Sequence, residues 1–257
     1  YTLQGADLGS ERFLPLDQPG VLLVTGEGIS SLEAGEIWHL LDVRMNMPVV
    51  LGELNRIPQM DLSEYTHILM PSGNYEALVS QIPKLESWLK QGGTVIALGS
   101  ATQWLAYNGF SELSFEKTPK DSTRLKSYGD LYLERSAARI TGSIFEAEID
   151  LTHPIGYGLT RDRIPVFRNH TLIPEPVHRP YAVPVRYTDS PLLSGYLPGN
   201  LRNEMPGIAS VVIDSYGSGR VISFIDKPNF RGFWDGTNRL FMNAIFFGPK
   251  IASISTR

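Results

Sequence analysis

Apolar runs of four to seven residues, alternating with stretches at helical spacing, constrain the first hundred residues more than any other feature. The clearest unit is Gly92-Gly93-Thr94-Val95-Ile96-Ala97-Leu98-Gly99-Ser100-Ala101-Thr102-Gln103-Trp104-Leu105-Ala106. Residues 95–98 form an apolar run suited to a parallel strand covered on both faces. Gly99 and Ser100 are small enough for a sharp turn, and Trp104 and Leu105 open the apolar face of a following helix. Upstream, 21–25 reads as a buried strand broken by Gly26-Glu27-Gly28. Ser30 or Ser31 caps a helix carrying Ile37, Leu40 and Leu41. Residues 48–54 and 67–70 read as strands, the latter ending at Pro71-Ser72-Gly73. A helix follows over 75–90, with Leu78, Ile82, Leu85, Trp88 and Leu89 in phase. Strands alternating with helices predict a parallel, doubly wound α/β sheet with its ligand crevice at the carboxyl ends of the strands.

The alternation stops after the fourth unit. Residues 1–20 read as a linker or arm, 21–257 as one α/β domain, and 111–127 as a polar excursion. A short helix is expected over 130–140. From Ile144 onward short apolar runs, such as Val166-Phe167, 183–187 and 192–197, alternate with proline-rich turns. Residues 209–214 and 220–225 flank Ser215-Tyr216-Gly217-Ser218-Gly219, a hairpin signal. A helix over 232–247 closes the chain, with Leu240, Phe241, Ala244, Ile245 and Phe247 on its core face. The second half is therefore β-rich.

Several function classes are excluded by composition. Lys plus Arg number 23 against 27 Asp plus Glu, so no basic footprint for nucleic acid exists. No apolar run approaches the roughly 20 residues of a membrane span. The absence of cysteine removes disulfides, thiolate metal sites and a cysteine nucleophile together. Tyr1 is neither an initiator Met nor the start of a signal peptide, as expected of a processed protein or part of a longer one.

Four candidate sites remain. Ser100 is the side chain at the elbow able to act as a nucleophile, with His153 its base by position. However, Gly99-Ser100-Ala101-Thr102 lacks the outer glycines of G-x-S-x-G. Gly26-Glu27-Gly28-Ile29-Ser30-Ser31, with Glu53 at the end of the next strand, reads either as a partial dinucleotide motif or as a plain turn. His39, His67, His153, His170 and His178 form no H-E-x-x-H motif, even with Glu175 between the last two, so no metal site is expected. The loop 226–239, rich in polar and aromatic residues, either binds a sugar or peptide or pins the last helix, with Asp235 or Thr237 as its cap.

Pro71-Ser72-Gly73, Trp88 to Gly93 and Thr94 to Ala106 resemble the class I glutamine amidotransferase fold. That family carries a P-G-G oxyanion loop after its third strand and a G-x-C-x-G-x-Q-type nucleophile elbow after the next. Matching Gln103 to the family's glutamine puts Gly99 at the cysteine position. A narrower resemblance spans nearly the whole chain. Gly35-Glu36-Ile37-Trp38, Asp150-Leu151-Thr152-His153-Pro154-Ile155-Gly156-Tyr157-Gly158, Leu193-Ser194-Gly195-Tyr196, Pro228-Asn229-Phe230-Arg231-Gly232-Phe233-Trp234 and Asn243-Ala244-Ile245-Phe246-Phe247-Gly248 resemble the C-terminal region of large bacterial M14-type zinc carboxypeptidases.

Together these imply a flavodoxin-like, amidotransferase-like accessory domain without catalysis of its own. A secreted or periplasmic M14-like peptidase domain, with its zinc and signal peptide, would lie upstream. This chain lacks the H-x-x-E zinc motif and would need no cofactor. It would bind its partner domain, a peptide or a small molecule. Glu27, Gly73, Asn74, Gly99 and Ser100 around the elbow are the candidate contacts, with Asn229, Arg231 and Trp234 on the late loop. The rival readings are a serine hydrolase using Ser100 with His153, and a carbohydrate- or peptide-binding module.

Overall fold

A computed structural model describes residues 13–115, 127–130 and 138–252. Nine strands form one sheet: β1 (Val21–Thr25), β2 (Val50–Glu53), β3 (His67–Met70), β4 (Thr94–Leu98), β5 (Ser143–Ile149), β6 (Arg163–Arg168), β7 (Val185–Gly195), β8 (Ala209–Tyr216) and β9 (Gly219–Phe224). Their order is β2-β1-β3-β4-β9-β8-β7-β5-β6. The first five in that order are mutually parallel. They reproduce the flavodoxin-like order, with β9 as the fifth parallel strand. The remaining pairs are antiparallel. The β-rich second half thus extends the same sheet.

Helices α1 (Ser31–Trp38), α2 (Ile82–Lys90), α3 (Ser100–Tyr107) and α4 (Asp235–Phe247) cover both faces. Side chains alternate across each strand. Val21, Leu23, Leu69, Ile96 and Leu98 pack with Ile37, Leu40, Phe241 and Ile245, so α1 and α4 lie on one face. Leu22, Val24, Ile68, Val95 and Ala97 pack with Leu85, Leu89, Ala101 and Leu105, which puts α2 and α3 on the other. The two-sided cover explains why β1, β3 and β4 read as unbroken apolar runs.

Several boundaries differ from expectation for identifiable reasons. The second strand is shorter, Val50–Glu53 rather than 48–54. Residues 76–81 form a 3₁₀ turn before α2, because Pro83 can start an α-helix but its ring opposes the carbonyl four residues back. The last helix starts at Asp235 rather than 232, because Arg231 adopts φ 51°. The start of the expected excursion is packed: Ser111 and Leu113 are buried, and Ser111 donates to Asp214. Residues 116–126 lie outside the described residues. So does most of the helix expected over 130–140, of which 138–140 have no helical structure. Of the expected arm, residues 13–20 have no regular structure, and Asp17 pairs with Lys250 at 2.9 Å.

Candidate functional site

The carboxyl ends of β1, β3, β4 and β9 meet at the elbow. Gly99 turns with φ 49° and ψ −119°, a conformation costly for residues with a Cβ. Its N–H donates to Phe224 O at 2.9 Å, which ties the turn to β9. The loop after β3 packs directly on it. Ser72 Oγ accepts from Ser100 N and donates to Leu98 O, both at 3.3 Å. Ser100 Oγ accepts from Gly73 N at 3.0 Å and donates to Gly73 O at 3.4 Å. A Cβ added to Gly99 would stand closer than 3.0 Å to Ser72 Oγ. The elbow residue therefore carries no side chain, and the space a Cβ would fill is taken by the Ser72 hydroxyl.

The third donor of this loop is also engaged. Ser72 N donates to Glu33 Oε2 at 2.6 Å, and Glu33 Oε1 pairs with Lys227 at 3.1 Å. Ser30 caps α1 by accepting from Glu33 N. Glu33 thus reads in sequence as the acid of an S-x-x-E capping box, a purely local role. In the fold its carboxylate is buried and bridges two loops distant in sequence. Lys227 had no motif to mark it. It is aimed by its neighbour Asp226, which accepts from Arg168, Tyr187 and Ser210, and by its own N–H to Phe167 O.

Ser100 and His153 are not brought together. β5, which leads into His153, runs antiparallel to β4 through the β9, β8 and β7 pairings, so His153 sits at the opposite end of the sheet. It is also four strand spacings away, about 19 Å. His153 accepts from Ile155 N instead and starts a short 3₁₀ turn. The hydrolase pairing expected from chain position is corrected by strand direction.

The remaining candidates separate into two groups. Gly28 O accepts from Asn74 N, and Ser30 N donates to Ser72 O, so the Gly26-Glu27-Gly28 turn is held against the β3 loop. Glu27 and Asn74 are exposed there. At the start of α1 the Ser30 hydroxyl accepts from Glu33 N, and the Glu33 carboxylate is engaged by Ser72 N and Lys227. Glu53 pairs instead with Arg56 at 3.3 Å. Asn229 is buried with neither amide atom partnered, and Trp234 Nε1 also lacks a partner. Phe230 stacks on Phe167, and Trp234 tilts against the same ring, so the aromatics do pin the loop. Thr237 donates to Pro228 O. Among the described residues, no group of His, Asp or Glu is arranged to hold a metal, and no helix is long and apolar enough to cross a membrane.

No family model matches the sequence, and no curated protein matches it. Solved structures do match the fold. A protein described as ThuA-like from Parabacteroides merdae shares 13% identity at a TM-score of 0.56, covering 94% of this chain and 93% of its own. A glutamine amidotransferase from Thermotoga maritima shares 12% identity at a TM-score of 0.51, covering 91% and 88%. A protein described as a GMP synthase component from Thermoplasma acidophilum shares 10% identity at a TM-score of 0.52, covering 89% and 94%. The fold is that of the class I glutamine amidotransferase-like, flavodoxin-like α/β proteins.

Proposed function

We propose that this chain is a non-catalytic amidotransferase-like domain that binds a ligand or partner on behalf of an M14-type zinc carboxypeptidase domain. One observation carries the non-catalytic part. Gly99 stands at the nucleophile position, and the N–H groups of Ser72, Gly73 and Ser100 all point at internal acceptors. An oxyanion needs such donors free and aimed at the reacting oxygen. Here each already has a protein partner, and no thiol exists anywhere in the sequence. The carboxypeptidase context, with zinc upstream and a periplasmic or secreted location, is supported by the long motifs from Gly35 to Trp38, Asp150 to Gly158 and Pro228 to Trp234.

Each part has its own test. Purified protein incubated with L-glutamine should release no ammonia and should not label with a serine-directed fluorophosphonate. Ammonia release abolished by Ser100→Ala would refute the non-catalytic reading. Antibody to this domain should precipitate, from the native source, a zinc-dependent activity that removes C-terminal residues from peptides. Precipitates without that activity would refute the carboxypeptidase context.

A further inference from the structure

A cleft of about 460 Å³ opens on the α1 side of the Lys227–Glu33 pair. Gly99, Ser100, Ser72 and Gly73 do not line it, so it is distinct from the closed elbow. Its walls come from Leu32, Glu36 and His39 on one side and from Asn169, Phe230 and Arg231 on the other. Three of these have unused polar capacity. Arg231 makes no ion pair within 4.0 Å among the described residues, and its guanidinium lies 5.1 Å over the Phe230 ring. Glu36 uses Oε1 to accept from Arg231 N at 2.7 Å and keeps Oε2 unengaged. His39 Nδ1 is buried without a partner.

The placement is held by the fold. Among the described residues Arg231 is one of three non-glycine residues at positive φ, and Glu36 accepts from its backbone N–H in that conformation. Strain of this kind persists only where the surroundings over-determine it. The result is one cation without an ion pair and one carboxylate with a free oxygen, lining the same cleft with their charged groups more than 4.0 Å apart among the described residues. Leu32 and Phe230 add apolar surface beside them. Lys227 also lines the cleft but is paired with Glu33 at 3.1 Å, so Arg231 and Glu36 are the charged residues lining it without an ion pair among the described residues.

We infer that this cleft binds a small zwitterion, an amino acid or short peptide, with its carboxylate on Arg231 and its ammonium on Glu36. This deepens the non-catalytic reading, since the molecule is held rather than cleaved. A guanidinium–carboxylate pair is directional and charge-assisted, and removing either charge weakens binding by about tenfold or more. His39 and Asn169 would supply further hydrogen bonds, and Leu32 and Phe230 would cover an apolar side chain.

The test is a titration of the purified protein, followed by NMR chemical shifts, with L-leucine, L-phenylalanine, L-glutamine and glycyl-L-leucine. N-acetyl-L-leucine and L-leucine amide are run in parallel. The expected result is saturable binding of a zwitterion that weakens about tenfold or more when either charge is blocked. A tighter dipeptide than free leucine identifies a peptide terminus as the source; the reverse identifies a free amino acid. Arg231→Gly removes the cation at a position whose φ glycine adopts freely, and Glu36→Gln keeps an acceptor for Arg231 N while removing the charge. Both should melt near the parent temperature and bind at least about tenfold more weakly. No saturable shift for any zwitterion at about 10 mM, or equal binding by both variants, overturns the inference. Turnover of the dipeptide or ammonia release would instead overturn the non-catalytic reading.

Discussion

Substituting Gly99 by alanine perturbs the elbow with the smallest possible side chain. The backbone angles of 49° and −119° impose a strain of about 1–3 kcal/mol on any residue with a Cβ. The new methyl would stand closer than 3.0 Å to Ser72 Oγ but 3.6 Å from Ser72 Cβ, an ordinary contact. The hydroxyl can rotate away, so the steric part is bounded by the two hydrogen bonds it gives up, to Ser100 N and Leu98 O. At about 0.5–1 kcal/mol each, the total for Gly99→Ala is about 2–5 kcal/mol. Ser72→Ala alone loses the same two bonds, about 1–2 kcal/mol. In the double variant those bonds are lost once instead of twice. The two single effects should therefore exceed the double by about 1–2 kcal/mol. Urea denaturation of the four proteins, at constant m-value, measures this directly. Additivity within about 0.5 kcal/mol would refute the claim that the Ser72 hydroxyl occupies the space of a side chain at residue 99.

Other outcomes follow from buried groups and backbone approaches. Asp226→Ala leaves Arg168 buried at 0% exposure beside an unpartnered Tyr187 hydroxyl, and should cost about 3–5 kcal/mol; a thermal shift under about 2 °C would contradict this. Burial pushes His67 down to about 4, and burial with the nearby Arg168 guanidinium pushes His170 to about 4. The unfolded chain then takes up protons that the native state refuses. Stability is full above about pH 6.5 and falls toward pH 4 by up to about 1.4 kcal/mol per unit for each histidine. Urea midpoints at several pH values check this, and a flat profile between pH 7 and 5 contradicts it. A Cβ on Gly219 would stand closer than 3.0 Å to the carbonyl oxygens of Leu89 and Gly93, which are backbone and cannot swing away. Gly219→Ala should thus exceed about 4 kcal/mol of destabilisation. Gly236→Ala meets nothing within 4 Å inside α4 and should stabilise by about 0.5–1 kcal/mol; melting curves that rank the two alike would refute both.

Much of the first half was legible in the chain. The runs at 21–25, 67–70 and 95–98 are apolar on both faces because helices cover both faces, so local pattern and tertiary burial agree. The hairpin between β8 and β9 was equally visible: Tyr216 pairs with Gly219 across a turn in which Gly217 takes φ 58°. That the elbow carries glycine and no thiol needs only the identity of residue 99 and the lack of cysteine. These are local properties, and local properties are written in composition and period.

Direction and distance are not local. That β9 inserts parallel to β4 while β8 begins an antiparallel wing follows from which edges remain open when the chain returns, and no window of residues encodes that. The same geometry sends His153 to the far end of the sheet and brings Lys227 to Glu33, two residues 194 positions apart. Glu33 illustrates the reason. Its N–H is satisfied locally by the Ser30 hydroxyl, whereas the engagement of its carboxylate with Ser72 and Lys227 depends on three strands ending at one level. Chain chemistry by itself determined a doubly wound α/β domain with glycine at its elbow. Tertiary packing decided that the elbow is closed by Ser72 and that Glu36 and Arg231, far apart in sequence, line one cleft.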